Sequence, residues 1–181
     1  HLSVENIIVI PPGSQAASVK GVAFNLNAGE TLGVIGPSAA GKTSLLRAIL
    51  GVWPLRSGTV RLDGADISQW NREALGPYLG YLPQDIELFE GSVAENICRF
   101  NTANSEKIIK AAKTSGIHEM LLKLPNGYDT IIGPSSGALS AGQRQRLGLA
   151  RAIYDYPKLV ILDEPNSNLD DQGERELQNA I

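Results

Sequence analysis

The stretch that decides the fold is Gly-Pro-Ser-Ala-Ala-Gly-Lys-Thr at residues 36–43. It fits the pattern G-x-x-x-x-G-K-[S/T], and it lies between an apolar run, Thr31 to Ile35, and a segment with helical periodicity. A loop of this kind turns backbone N–H groups inward around phosphates, and the helix that follows adds the positive end of its dipole. The alternative, a glycine-rich turn that binds nothing, does not account for the strand and the helix on either side. The stretch therefore predicts a phosphate-binding loop.

The loop residues have distinct predicted roles. The Lys42 ammonium is expected to reach the β and γ phosphates of a nucleotide, and the Thr43 hydroxyl to bind Mg²⁺. The other residues expected to contact the nucleotide belong to the same stretch of backbone: Gly36, Pro37, Ser38, Ala39, Ala40, Gly41 and Ser44.

A second stretch, Leu-Val-Ile-Leu-Asp-Glu at residues 159–164, tests the first. Its apolar residues predict a buried strand, which places Asp163 at the carboxyl end, the edge where ligands bind in parallel α/β sheets. Asp163 is expected to bind the same Mg²⁺ as Thr43, and Glu164 to polarise the water that attacks the γ phosphate. Solvated acids after a core strand are the alternative for this motif alone. The two motifs together favour nucleotide hydrolysis.

Two further stretches supply polar groups. Gln84 ends the strand-like run Leu79 to Gln84, and its amide is a candidate to contact Mg²⁺ or the attacking water, although a lone glutamine is also typical of a surface. Ser140 and Gln143 form a capping box, which leaves Gly142 unexplained because glycine costs about 0.5–1 kcal/mol inside a helix. A bare backbone, a hydroxyl and a helix N-terminus together are typical of a phosphate site. We interpret this helix start as a site for a second phosphate, held by another copy of the domain.

The composition bounds the class of protein. The chain has 181 residues, of which 43% are hydrophobic, and this is enough for a globular protein with a core. Its 16 basic and 19 acidic residues are interspersed, so nothing suggests nucleic acid as the main partner. The single cysteine, Cys98, excludes an internal disulfide framework and suits a reducing cytosolic setting. The apolar runs are too short for a membrane span, and we expect no signal peptide.

The order of the predicted elements indicates an α/β fold with a parallel sheet. Strands are predicted at residues 2–10, 19–26, 31–35, 59–62, 79–84 and 159–162. Helices are predicted at residues 92–97, 105–113, 116–124 and 140–154, and from about 171. Residues 1–84 and 155–181 form the predicted core with its β flank, and residues 85–154 form a helical subdomain.

Together these residues resemble the nucleotide-binding domain of an ABC transporter. Residues 36–43 are similar to its Walker A motif, Gln84 to its Q-loop glutamine, and residues 139–143 (LSAGQ) to its signature motif. Residues 159–164 are similar to its Walker B motif, and Asn168-Leu169-Asp170 to its D-loop. The resemblance implies a P-loop NTPase core with an antiparallel β flank and a helical subdomain, truncated at the C-terminus.

At a finer level the chain is similar to the ATPase halves of type I secretion permeases, the protease and RTX-type exporters of Gram-negative bacteria. The stretches that carry this similarity are residues 52–70, 80–97 and 163–170. It implies export of protein substrates, a transmembrane domain before His1, a periplasmic adaptor and an outer-membrane channel. The domain would lie at the cytoplasmic face of the bacterial inner membrane.

The resemblance also implies roles for single residues. Two copies would close head to tail around two ATP molecules, with Ser140, Gly142 and Gln143 of one copy contacting the γ phosphate bound by the other. Glu164 would be the catalytic base, with Lys42 and Gln84 assisting. Gln84 would also bind the Mg²⁺ and, with its neighbours, couple the site to the membrane domain.

Some positions depart from the family's pattern. Ala39 stands where glycine is usual, and residues 10–12, which include Pro11, stand where an aromatic ring usually stacks on adenine. Pro134, beside Ser135, lies where exporters usually carry a glutamate. The family's switch histidine and its later sheet strands would lie beyond Ile181, so we expect this stretch alone to be poorly stable and weak as an ATPase.

Two other functions stay open at this point. A non-transport ABC protein would use ATP-driven closure of two domains in a soluble complex, and a soluble segment before His1 would favour it over six hydrophobic spans. A regulatory module without turnover is the other possibility. Glu164 argues against it, because degenerate sites usually lose that carboxylate.

Overall fold

The computed structural model describes residues 1–134, 137, 139–169 and 171–180. Ser135 and Asp170, both named above, lie outside the described residues. The chain divides into two compact units, His1–Leu75 and Gly76–Ile181. The core and helical subdomain expected from the sequence, with boundaries near residues 84 and 155, stay a prediction.

The first unit is built on an antiparallel sheet of four strands in the order β2-β1-β3-β4. The strands are β1 (Leu2–Val9), β2 (Val19–Leu26), β3 (Ser57–Leu62) and β4 (Ala65–Asp66). In the central strand β1, Val4 pairs with Phe24 on one side and with Val60 on the other. Buried residues alternate along β1 on either side of a register shift between Val4 and Ile7, as expected when one face covers a core. The predicted antiparallel β flank is confirmed.

Two helices complete the first unit, α1 (Lys42–Ile49) and α2 (Arg72–Leu75). The buried positions of α1 include Leu45, Ala48 and Ile49, whose spacing of three and four places them on one face, and the helix packs against β1. Because α1 begins at Lys42, its packing holds the end of the phosphate loop in place.

The strand predicted at Thr31 to Ile35 is wrong in this structure. Residues 31–37 carry no regular secondary structure, and Ile35 is 95% exposed. The segment leaves β2 through a turn at Asn27 to Glu30, where the Glu30 amide donates to the Asn27 carbonyl at 3.1 Å. An apolar run supplies the side chains of a strand, but a strand also needs a neighbour's N–H and C=O groups. Within residues 1–75 no other strand pairs with this segment.

The second unit contains a parallel pair of strands, β5 (Leu79–Leu82) and β8 (Leu159–Leu162), in register from Leu79 opposite Leu159 to Leu82 opposite Leu162. Both strands were predicted, and their parallel pairing confirms an α/β arrangement. Helix α6 (Ala141–Ile153) packs on β5. The close approach uses glycine: a Cβ at Gly148 would lie 2.8 Å from Ile86 Cδ1, and a Cβ at Gly80 would collide with the Ala152 carbonyl.

The other elements of the second unit are mostly helices. Its helices are α3 (Val93–Ile97), α4 (Ser105–Thr114), α5 (His118–Leu121) and α7 (Asp171–Ala180), and a short antiparallel pair is formed by β6 (Gly91–Ser92) and β7 (Ile131–Ile132). The helices enclose an apolar core that includes Ile97, Ala112, Ile117, Leu121 and Leu147. Cys98 belongs to the same core, as a free buried thiol.

Arg99 holds the end of α6 on this core. Its guanidinium donates to the carbonyls of Arg151 and Ala152 at 3.0 Å each, to that of Leu79 at 2.8 Å and to that of Gly76 at 3.1 Å. The first two carbonyls are among those that a helix leaves without partners in its last turn. Burial lowers the pKa of Arg99, and nearby Asp155 opposes that shift. In the parts of the chain that the structure describes, the helices are too short or too polar to cross a membrane.

Candidate functional site

The phosphate loop folds as a tight turn ahead of α1. Gly41, the N-cap of α1, has a φ of 94°, and a Cβ at this position would collide with the Ser18 carbonyl. The Ala40 amide donates to the Pro37 carbonyl at 3.2 Å, which closes the turn. Ala39 has a φ of 64°, in the left-handed region where glycine is favoured. Alanine is therefore accommodated at the position where the family usually has glycine, at the cost of a strained backbone.

Lys42 folds back over the loop. Its ammonium donates to the carbonyls of Gly36 at 2.9 Å and Pro37 at 3.0 Å, so the charge lies at the loop rather than in free solvent. Thr43 is partly exposed in the first turn of α1, whereas Ser44 is buried at 8% exposure. The predicted contacts of these side chains with a nucleotide stay predictions.

Asp163 lies at the carboxyl end of β8, as the sequence predicted. Its side chain is only 2% exposed, and its amide donates to the Leu82 carbonyl at 2.9 Å. Its Oδ2 atom is buried and has no hydrogen-bond partner among the described residues. A buried carboxylate oxygen without a partner costs free energy, and a cation removes that cost. Asp163 therefore fits a ligand of Mg²⁺, which prefers one or two carboxylates together with phosphate oxygens and water.

Glu164, the next residue, contacts Gln84. The Gln84 amide donates to Glu164 Oε2 at 3.0 Å, and both side chains are exposed. Glu164 has a φ of 50°, which is rare for a residue with a side chain. The structure thus brings together two residues, 80 positions apart, that the sequence placed near the reacting phosphate.

Helix α6 begins with the predicted capping box. The Gln143 amide donates to Ser140 Oγ at 3.3 Å, and the Ser140 amide donates to Gln143 Oε1 at 2.8 Å. A Cβ at Gly142 would lie 2.9 Å from the Asn168 carbonyl oxygen. Another group therefore does approach the bare backbone of Gly142, and in this structure it is the chain's own loop after Glu164. The predicted contact of Gly142 with a second phosphate stays a prediction.

The sequence analysis missed Gln145. This side chain is 2% exposed, and its amide donates to the carbonyls of Pro165 at 3.0 Å and Glu164 at 3.5 Å. The signal was present in the helical periodicity, because Gln145 shares a buried face of α6 with Leu149 and Ala152. A polar side chain at an apolar position of a helix indicates a buried partner.

A groove of about 820 Å³ opens beside these residues within the second unit. Its wall begins at Gln84 and continues through residues 85–90, and Pro134 and Arg144 also line it. The groove therefore reaches the amide that is bonded to Glu164.

The sequence profile described as ABC transporter matches residues 19–167. The chain belongs to the ABC transporter family. The type I secretion system ATP-binding protein PrsD of Rhizobium meliloti (strain 1021) is 58% identical to this ABC transporter domain over 182 residues, which is 100% of this chain and 31% of that protein. The probable microcin-H47 secretion/processing ATP-binding protein MchF of Escherichia coli is 38% identical over 170 residues, which is 93% of this chain and 24% of that protein.

The fold of this ABC transporter domain also matches a solved structure, that of a bacterial Atm1-family ABC exporter with ATP bound. The TM-score is 0.88 at 29% sequence identity, over 99% of this chain and 31% of that chain. The chain spans less than a third of the length of each of these proteins. The family resemblance, the ABC ATPase fold and the assignment as a nucleotide-binding ATPase domain are thus confirmed.

Proposed function

We propose that this domain powers export, most closely in the manner of type I protein secretion, by binding and hydrolysing ATP between two copies of itself. The observation that carries the proposal is the hydrogen bond from Gln84 to Glu164, the residue after Asp163, whose buried Oδ2 has no hydrogen-bond partner in the described part of the chain. This hydrogen bond holds one exposed carboxylate next to an amide at the carboxyl end of β8, which is the end of the strands where ligands bind in parallel α/β sheets. An exposed carboxylate in this position can orient a water and accept its proton.

Different residues of the chain have different proposed roles in phosphoryl transfer. Lys42 and the backbone N–H groups of residues 36–43, except Pro37, bind the phosphates, because a cation and inward N–H groups both stabilise negative charge. Gln84 and Asp163 would hold Mg²⁺, which when bound neutralises charge on the phosphate oxygens. Glu164 orients the attacking water and takes its proton, while Gln84 holds the Glu164 carboxylate in place.

The second copy of the domain completes the site. Ser140 and Ala141 are exposed at the start of α6, a helix of 13 residues whose N-terminus carries a partial positive charge. We infer that this start, with Ser140, Gly142 and Gln143, binds the γ phosphate of the ATP held by the partner copy. Closure of the two copies then depends on ATP, and hydrolysis releases them.

The export function is inferred from the relatives. PrsD is described as a type I secretion protein and MchF as a secretion/processing protein, and the matched structure is an exporter. We infer a transmembrane domain in the complete protein, a location at the cytoplasmic face of the bacterial inner membrane, and partners in the form of a periplasmic adaptor and an outer-membrane channel. The groove that starts at Gln84 is the inferred docking surface for the membrane domain.

A genetic and fractionation experiment tests this function. The gene is deleted in its host, and the proteins of the culture medium are compared with and without the complete wild-type gene. We expect at least one secreted protein to be lost and to return with the wild type but not with Lys42→Ala. We also expect the complete protein to resist alkaline extraction from membranes. An unchanged set of secreted proteins together with a soluble gene product would contradict export and favour an ATPase of a soluble complex.

A further inference from the structure

The buried side-chain amide of Gln145 connects helix α6 to the loop after β8. It lies on α6, in the turn that follows the capping box, and its Nε2 atom donates to the carbonyls of Pro165 and Glu164. Burying an amide is costly unless it is hydrogen-bonded, so this position strongly favours the observed contacts. The loop after β8 is therefore tied to α6 at Glu164 and Pro165.

The carbonyls that Gln145 binds belong to a strained stretch of backbone. Glu164 has a φ of 50°, and a residue with a side chain keeps this conformation only where its surroundings hold it. The Glu164 carbonyl also accepts a hydrogen bond from the Ser167 amide at 3.1 Å. Two donors thus fix this peptide group, and the direction of the Glu164 side chain follows from it.

The fixed backbone determines where the carboxylate lies. From the left-handed position of Glu164 the carboxylate extends to Gln84, with 3.0 Å between Oε2 and Nε2. A relaxed backbone would turn the side chain away from this amide. We propose that Gln145 is a positioning residue: its buried amide holds the carbonyls of Glu164 and Pro165, and thereby aims the Glu164 carboxylate. This inference rests on the proposed role of Glu164 in orienting the attacking water.

The packing of α6 does not depend on this amide. Leu147, Leu149 and Ala152 are each at most 3% exposed and anchor the helix by apolar contacts. Removing the amide should therefore leave the helix in place and release only the loop. A small displacement of a reacting group is enough to reduce turnover strongly, by up to about 100-fold for a shift of about 1 Å.

The test uses Gln145→Met in the complete protein, because methionine keeps the length of the side chain and removes the donor. We expect kcat for ATP hydrolysis to fall about 10- to 100-fold, while KM and the Kd of a non-hydrolysable ATP analogue change less than about twofold. Gln145→His keeps an N–H at a similar reach, and we expect it to restore kcat to within about fivefold of wild type. Gln69→Met, at an exposed position of the first unit, is the matched control and should leave kcat unchanged.

A double substitution separates positioning from a general effect. In a Glu164→Ala background, adding Gln145→Met should leave the residual single-turnover rate unchanged, because the group it positions is absent. An equal fall of kcat in both backgrounds would overturn the inference. So would an unchanged kcat in Gln145→Met, or a loss of nucleotide binding in that variant, which would assign Gln145 to folding alone. If the wild-type protein hydrolyses no ATP, the proposed function itself fails.

Discussion

Ala39 shows how a single residue can strain the backbone of the phosphate loop. The residue is exposed, so its methyl group gains no burial, yet its φ of 64° lies in the left-handed region. This conformation costs an L-residue about 1–2 kcal/mol, whereas glycine adopts it freely. Glycine in turn loses more backbone entropy on folding, by about 0.5–1 kcal/mol relative to alanine. The two effects oppose each other, and relief of strain is the larger.

Ala39→Gly is therefore expected to stabilise the closed turn of the loop by about 0.5–1 kcal/mol. Hydrogen exchange at the Ala40 amide, which is bonded to the Pro37 carbonyl, should slow by about two- to fivefold. Ala40→Gly is the matched control, since Ala40 does not have a positive φ, and it should loosen the loop. Faster exchange in Ala39→Gly than in wild type would show that the left-handed alanine is not strained.

At the scale of elements, a feature could be predicted from the sequence when the residues that produce it are close together in the chain. The capping box of Ser140 and Gln143 involves residues three apart, and the strand before Asp163 is set by its own apolar run, so both were predictable. The contact of Gly142 with the Asn168 carbonyl joins two separate segments. No pattern in either segment reports on such a contact.

The same distinction explains two further misses. Gln145 contacts carbonyls 19 and 20 residues away, and Arg99 binds carbonyls more than 50 residues away at the end of α6. The strand predicted at Thr31 to Ile35 is wrong for a related reason. Its apolar pattern is local, but the neighbouring strand that it would need for pairing is not. The spacing of apolar residues along the chain predicts a helix or a strand. The groups that this helix or strand contacts are known only from the folded structure.

Arg99 is expected to be a major support of the second unit. Arg99→Met leaves the carbonyls of Arg151, Ala152 and Leu79 without their charged donor, and we expect a loss of about 2–4 kcal/mol in the free energy of unfolding. Pulse proteolysis of the complete protein in urea, following peptides from residues 76–181, measures this loss. Arg175→Met, at an exposed position of α7, should change stability by less than about 0.5 kcal/mol. Equal effects of the two substitutions would contradict the role of Arg99.

The start of α6 offers a test of the proposed second phosphate site. Ser140→Arg should leave the Kd for ATP within about twofold of wild type, because the phosphate loop binds the nucleotide alone, and should abolish ATP-dependent dimer closure by filling the partner's phosphate position. Ser140→Ala removes the cap, at a cost of about 1 kcal/mol, and one hydroxyl contact to the phosphate, but it leaves the phosphate position open and should weaken closure much less than Ser140→Arg does. Both are measured in a Glu164→Gln background, which slows hydrolysis. Closure by Ser140→Arg equal to that of Ser140→Ala would place the phosphate elsewhere.

At the scale of the whole molecule, the residues with predicted roles are divided between the two compact units. The phosphate loop lies in the first unit, and the carboxylates and the start of α6 lie in the second. Family membership follows from the profile match over residues 19–167 and the similarity of fold. These motifs carry no information on which substrate an exporter would transport, because the residues with predicted roles would contact phosphate and water.

The most direct test of the account is the stoichiometry of ATP retained by Glu164→Gln in the complete protein. Without the carboxylate that accepts the proton of the attacking water, hydrolysis should fall more than about 100-fold while both binding surfaces stay intact. After saturation with ATP and rapid desalting, light scattering and nucleotide analysis of one sample should give two chains that retain two ATP molecules. Monomers under saturating ATP, or hydrolysis at the wild-type rate, would contradict a shared site in which Glu164 activates the water.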